Sequence, residues 1–231
     1  MKNIAIIPAR SGSKGLPHKN IKELNGLPLM AYTIQAAKKT GLFDVVMVST
    51  DSERYAEIAK AYGAEVPFLR SDAQSSDSAD SWSVVKEVLQ GYAALGKTFD
   101  TACLLQPTSP LRDETDIMAG YELFAEKKAD AVTSVCEAEH SPLWCMTLEE
   151  DRSLDQFRAN LPQGPRQKLS KFYRLNGAVY IRRVRYLSED IEIIHSNEFA
   201  LVMDTVKSVD IDTALDFDMA GFLMKKLSQE G

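Results

Sequence analysis

Four short stretches of this chain carry side chains able to bind or act on a charged or polar ligand. The first is Arg10-Ser-Gly-Ser-Lys-Gly-Leu-Pro-His-Lys-Asn20, which sets Arg10, Lys14 and Lys19 around Gly12 and Gly15. Glycines let a backbone turn through φ > 0 and approach a ligand closely, and successive N–H groups in such a turn form a concave anion site. The three cations suit a ligand more negative than a carboxylate, and a polyphosphate fits. No Gly-Lys-Ser/Thr closes the loop as a Walker A motif requires, and the third glycine of a dinucleotide fingerprint is missing. A solvated basic loop is the plain alternative.

The second stretch is Gln106-Pro-Thr-Ser-Pro-Leu-Arg112. Gln106 has a donor and an acceptor with which to read a base or sugar edge, and two prolines stiffen the loop around it. A simple turn between strand and helix is the alternative. The third is Ser208-Val-Asp210-Ile-Asp212-Thr213. At period two, Asp210 and Asp212 point to one side, where paired carboxylates hold a hard divalent cation. Alternatively Asp212 caps the last helix, with Asp216 adding favourable charge in its first turn. The fourth comprises Arg166-Gln167 and Tyr173-Arg-Leu-Asn-Gly-Ala-Val-Tyr180. An Arg can grip a sugar-acid carboxylate in a bidentate bond, and an Asn can orient hydroxyls; a solvated Arg is the alternative for each.

The elements that must position these stretches alternate. Ile4–Ile7 reads as a strand buried on both faces. A helix follows from Pro28 to about Lys39, a strand over 43–48, a helix over 52–62 and a short strand over 66–69, the grammar of a parallel sheet with helices on both faces. Val84, Val85, Val88, Leu89 and Tyr92 mark a helix face, with Asp80 or Ser81 as its cap. A strand over 103–105 and a helix capped by Asp113 come next, then a strand over 131–135. From about 137 to 171 the periodicity lapses, as in a functional excursion or a partner-binding arm. Strands over 177–181 and 200–203 resume the sheet. A last helix over 213–226 turns Leu215, Met219, Phe222, Leu223 and Leu227 toward the core. The loops 10–20, 49–51, 70–78 and 106–112 all follow strands, so they converge on one sheet edge, where open α/β sheets bind ligands.

The totals bound the class. The 231 residues allow one large domain, or one domain with an appendage. A net charge of −6 disfavours a general nucleic-acid binder. No apolar run reaches membrane-spanning length, and the N-terminus leads directly into a strand, without a signal peptide. Cys103, Cys136 and Cys145 lack paired metal spacing and suit a reducing cytoplasm.

The loop Arg10-x-x-Ser13-Lys14-Gly15-Leu16-Pro17-x-Lys19-Asn20 resembles the signature of the CMP-sialic acid synthetases (acylneuraminate cytidylyltransferases). Ser76-Asp-Ser78-Ala79, Gln106–Arg112, Arg166-Gln167, Arg174–Tyr180 and Ser208–Thr213 follow in that family's order, so the resemblance covers nearly the whole chain. It implies an α/β, Rossmann-like nucleotidyltransferase with a mostly parallel central sheet, built from residues 1–136 and 178–231. It also implies a small dimerisation arm over 137–177 that completes the sugar pocket of a partner subunit. By resemblance, Arg10, Ser13, Gly15, Lys19, Asn20, Arg70 and Ser78 hold CTP, with Arg10, Lys14, Lys19 and Asp212 catalytic. Gln106, Arg166, Arg174, Asn176 and Tyr180 serve the sugar acid or its supporting shell, and Asp210 and Asp212 bind Mg²⁺ or Mn²⁺. The expected partners are CTP, a nonulosonic acid and a second copy of the chain, with no nucleic acid or membrane, in the cytoplasm. One departure concerns the sugar: Trp144 stands where some family members have Lys, and an aromatic side chain there could cover the extra N-acyl group of legionaminate. Pseudaminate and Kdo fit the motifs less well. A glycosyltransferase with a paired-Asp metal site and a CTP-sensing module are the rival classes.

Overall fold

Ile4–Ile7 is apolar without alternation because both of its faces are covered. Ala5 and Ile7 pack with Met30, Ile34, Tyr55, Ile117 and Phe124 on one side of the sheet. Ile4 and Ile6 pack with Val85, Val88 and Tyr92 on the other. Successive side chains of a strand leave on opposite faces, so one apolar run serves two cores. The structure is a computed structural model that describes residues 1–13, 15–75, 80–148, 150–161, 170–188 and 197–230. Lys14, Ser76–Ala79 with Ser78, and Arg166-Gln167 lie outside the described residues.

The elements are β1 (Asn3–Pro8), the short β2 (Glu23–Leu24) and β3 (Leu27–Pro28), α1 (Leu29–Lys39), β4 (Val45–Ser49), α2 (Glu53–Ala61), α3 (Asp72–Ser75) and α4 (Ser81–Ala94). They continue with β5 (Thr101–Leu104), α5 (Glu114–Glu126), β6 (Ala131–Glu137), α6 (Asp155–Ala159), β7 (Tyr173–Arg183), α7 (Arg185–Ser188), β8 (Glu198–Met203) and α8 (Ala214–Glu230). Among the described residues the central sheet runs β4-β1-β5-β7-β6-β8. Only β7 opposes its neighbours, pairing antiparallel with β5 and β6. The other pairs are parallel, so the carboxyl ends of β4, β1 and β5 share an edge. The α/β class and the mostly parallel sheet hold.

Three expectations need correction. The strand over 66–69 does not form; only Glu65 bridges to Met47, and Pro67, which has no N–H to donate, ends the pairing. The strand expected from Gly177 opens at Tyr173, where it pairs with Glu137, so the last residues assigned to the arm belong to the sheet. The last helix has the right period, but of the expected face only Leu223 packs on the core. Leu215, Met219, Phe222 and Leu227 are exposed, and Phe217 and Ala220 are buried. Small residues decide this: a Cβ on Gly221 would lie 3.2 Å from Leu24 Cδ1, so α8 docks on its Phe217, Ala220, Gly221, Met224 face.

A candidate nucleotide-transfer cleft

The shared strand edge opens into a cleft of about 520 Å³. Pro8 lines it from the end of β1, and Arg10, Ser13, Gly15, Lys19 and Asn20 from the loop that follows. Gln106, Pro107 and Thr108 line it from the loop after β5, Ser81 from the start of α4, and Asp210, Asp212 and Thr213 from the segment before α8. A second hollow of about 400 Å³, between α1, Pro110–Glu114 and α8, touches the candidate stretches only at Pro110, Leu111 and Arg112.

The loop after β1 is held from several directions. Asp51, just beyond β4, accepts hydrogen bonds from Ser11 N at 2.8 Å and Ser11 Oγ at 2.9 Å. Asn20 is buried, and its Nδ2 donates to the Arg10 carbonyl at 3.0 Å. Lys19 Nζ donates to Ile211 O at 2.6 Å and Asp212 Oδ1 at 3.1 Å, tying the loop to the far end of the chain. Among the described residues Gly12 does not use the positive φ open to a glycine. What Gly15 supplies is room, since a Cβ there would stand 2.4 Å from the Asp212 carbonyl oxygen. Arg70 is buried under this edge, donating through Nη2 to Ser49 O at 2.6 Å and through Nε to Ser49 Oγ at 3.0 Å. Loss of water pushes its guanidinium down to about 10, still charged at neutral pH.

Asp210 and Asp212 meet in the cleft, and the capping alternative for Asp212 fails. Asp216 Oδ2 accepts from Thr213 N at 2.7 Å and Thr213 Oγ1 accepts from Asp216 N at 3.3 Å, a reciprocal cap that leaves the Asp212 carboxylate to Lys19. Asp210 reaches solvent along the cleft yet is hemmed in by protein. Loss of water there, with the charge of Asp212, pushes its carboxyl up against the opposing pull of Thr108, Lys19 and Arg174. Among the described residues no cluster of three or more His, Cys, Asp or Glu could hold a metal. Two carboxylates beside a basic loop are a donor set that fits Mg²⁺, an ion that commonly takes one or two carboxylates and fills the rest of its shell with waters or phosphates.

The residues assigned to the sugar separate. Gln106 lines the cleft. Arg174 forms a two-point ion pair with Glu139, Nη2–Oε1 at 3.0 Å, and only its charge reaches Asp210. Tyr180 is half-buried against the edge of Trp82 and does not line the cleft. Asn176 is fully enclosed: its Nδ2 donates to Ser208 Oγ at 2.9 Å, and its Oδ1 accepts from Ser134 Oγ at 2.6 Å. It therefore acts as a strut between β6, β7 and the turn before Asp210, without direct ligand contact. Arg112, part of the expected contact loop, is buried beneath it. Sequence reasoning missed the Asp51 grip on Ser11 and the cleft positions of Ser81 and Thr108. Thr108 sits inside a motif already singled out, whereas only the fold places Asp51 beside Ser11.

The arrangement can hold a polyphosphate against cations with a divalent ion opposite. The chain resembles known proteins over nearly its whole length. A family model described as Cytidylyltransferase matches residues 4–221. The chain is 36% identical to an N-acylneuraminate cytidylyltransferase of Escherichia coli over 99% of its own length, spanning only 54% of that relative. It is 34% identical to a CMP-N,N'-diacetyllegionaminic acid synthase of Legionella pneumophila, covering 100% of this chain and 99% of the relative. A pseudaminic acid cytidylyltransferase of Campylobacter jejuni is 35% identical over 97% of both chains. Among solved structures, a CMP:2-keto-3-deoxy-manno-octonic acid synthetase complexed with CTP superposes with a TM-score of 0.73 at 16% identity, over 98% of this chain and 100% of that one. That likeness concerns the fold.

Proposed function

The chain belongs to the cytidylyltransferase family, and from that premise we propose that it transfers CMP from CTP to a nine-carbon 2-keto sugar acid, releasing pyrophosphate. The anomeric 2-hydroxyl attacks the α-phosphorus, the bond to the β-phosphate oxygen breaks, and pyrophosphate carries that electron pair away. The observation that carries this reading is the meeting of Arg10 and Lys19 with Asp210 and Asp212 in one cleft. Arg10, Lys14 and Lys19 neutralise charge developing on the phosphates. Asp212 accepts the hydroxyl proton. Asp210 and Asp212 would hold Mg²⁺ or Mn²⁺, which supplies Lewis acidity to the phosphates. Ser13, Gly15, Asn20, Arg70 and Ser78 serve CTP; Gln106, Arg166, Arg174 and Tyr180 serve the sugar, with Asn176 in support.

The acceptor is N-acetylneuraminate or a close bacterial analogue. Relatives named for three different sugar acids stand at 36%, 34% and 35% identity, so likeness alone does not choose among them. Trp144, 44% exposed in the arm, favours legionaminate as the second reading, because an aromatic side chain could cover its extra N-acyl group. The arm joins two copies into a homodimer, expected near 51 kDa by light scattering from a 25.7 kDa chain. The protein works in the cytoplasm; among the described residues no helix is long and apolar enough to cross a membrane.

The test is pyrophosphate release with Mg²⁺ and CTP against N-acetylneuraminate, legionaminate, pseudaminate, Kdo and no sugar, with UTP and ATP as controls. Release with CTP and a nine-carbon acid supports the reading and identifies the acceptor. CTP binding without release under any condition overturns it in favour of a CTP-sensing module.

A further inference from the structure

We infer that Arg112 is a positioning residue whose buried guanidinium fixes the loop that presents Gln106 and Thr108 to the cleft. The inference rests on reading the cleft as the transfer site. Arg112 is 1% exposed, and the contacts of its Nη2 converge on that loop. Nη2 donates to Thr33 Oγ1 in α1 at 2.7 Å, to the Gln106 carbonyl at 3.3 Å and to the Ser109 carbonyl at 3.4 Å. One nitrogen thus staples both ends of the Gln106–Ser109 turn to a core helix.

The turn has little freedom at its other contacts. Gly177 has φ +76° in β7, and a Cβ there would stand 2.7 Å from Gln106 Oε1. The Thr108 carbonyl accepts from Ile211 N at 2.9 Å, so the same turn also registers the segment bearing Asp210 and Asp212. Displacing the loop would move Gln106 and that segment together.

Stability alone does not account for this residue. Nε and Nη1 of Arg112 are buried with no hydrogen-bond partner among the described residues. Buried charges are often replaceable by apolar groups of similar volume at little cost to the fold. The guanidinium therefore supplies loop geometry, through the carbonyls it gathers, and Arg112 touches no substrate itself.

The test compares Arg112→Met and Arg112→Lys with wild type, and Thr33→Val as a milder variant that keeps the guanidinium. Hydrogen–deuterium exchange without substrate reads the loop directly. Arg112→Met is expected to speed exchange of the amides between Gln106 and Arg112 while α1 and β5 keep wild-type protection. With substrates, kcat/KM for the sugar is expected to fall about 10- to 100-fold, the scale of a small displacement of a positioning group. Arg112→Lys should recover part of that loss, and Thr33→Val should shift both readouts in the same direction by less. In Arg112→Met/Gln106→Ala, the combined loss should fall short of the product of the two single losses, because Arg112 acts in part through Gln106. Unchanged loop exchange in Arg112→Met and Thr33→Val, or losses that multiply in the double variant, would overturn the inference. If wild type releases no pyrophosphate, the functional reading fails, while the exchange experiment still decides whether Arg112 holds the loop.

Discussion

Gly15 and Asp212, at opposite ends of the chain, meet at the cleft so closely that a Cβ on Gly15 would stand 2.4 Å from the Asp212 carbonyl oxygen. The obstacle is backbone, which cannot swing aside as a side-chain tip can. Gly15→Ala must therefore push the basic loop and the carboxylate segment apart. Steady-state kinetics is expected to show kcat/KM reduced about 10- to 100-fold, with the far-UV spectrum unchanged. Wild-type kinetics in Gly15→Ala would show that the approach has no bearing on the reaction.

The cap that Thr213 and Asp216 form between themselves leaves the Asp212 carboxylate to Lys19 and the cleft. Asp212→Asn keeps the shape and removes the charge. Turnover is expected to drop about 100- to 10,000-fold, the range for loss of a proton-transfer group, while calorimetry still detects CTP binding. Near-normal turnover would remove Asp212 from the catalytic set.

Asn176 should behave as a buried strut. Asn176→Ala takes one hydrogen bond from Ser208 Oγ, which still donates to Asp204 O, and one from Ser134 Oγ, which still accepts from Val179 N, at a cost of about 2–3 kcal/mol. For a chain of this length that corresponds to a melting temperature lower by about 4–12 °C. A variant that melts like wild type but loses sugar affinity would restore Asn176 as a contact residue.

Lys207 binds two carboxylates, Asp113 Oδ2 at 2.6 Å and Asp116 Oδ2 at 3.0 Å, and so ties the turn before Asp210 to the cap of α5. Partial burial pushes the Asp113 carboxyl up, but hydrogen bonds from Lys207 and Thr115 outweigh it and hold it at about 2. Burial dominates at Asp116, whose carboxyl is raised, so on acidification Asp116 takes its proton first. An acid held low in the fold contributes stability above its unfolded value of about 4 and loses it as pH falls toward the folded value. The melting gap between wild type and Lys207→Met is expected to hold from about pH 8 to pH 5 and to close between about pH 4 and pH 2. A gap that persists at the acid end, or closes near neutrality, would contradict the pairing.

Local pattern carried much of the fold. The apolar run Ile4–Ile7, the cap at Asp113 and the valine face of α4 all read correctly, because each depends on neighbours within a turn or two. Val66–Leu69 misread because Pro67 ends the pairing after Glu65. The face of α8 misread because Ala220 and Gly221 dock closely on Leu24, and large apolar residues dominate a periodicity count. In the cleft, Arg10, Lys19 and Gln106 came together as their positions after strands implied, and Asp210 and Asp212, read only as a pair, joined them there. Residue type could not separate Asn176 and Arg112 from ligand contacts, since a buried amide and a buried guanidinium look like binding groups until their partners are known.

The most direct measurement is ³¹P NMR of the protein with CTP, Mg²⁺ and the sugar acid that the release panel selects. Loss of the CTP resonances should be matched by one new phosphodiester resonance and pyrophosphate in equal amounts. Formation of CMP or orthophosphate without a phosphodiester, or an unchanged CTP spectrum, would contradict transfer of CMP to the sugar.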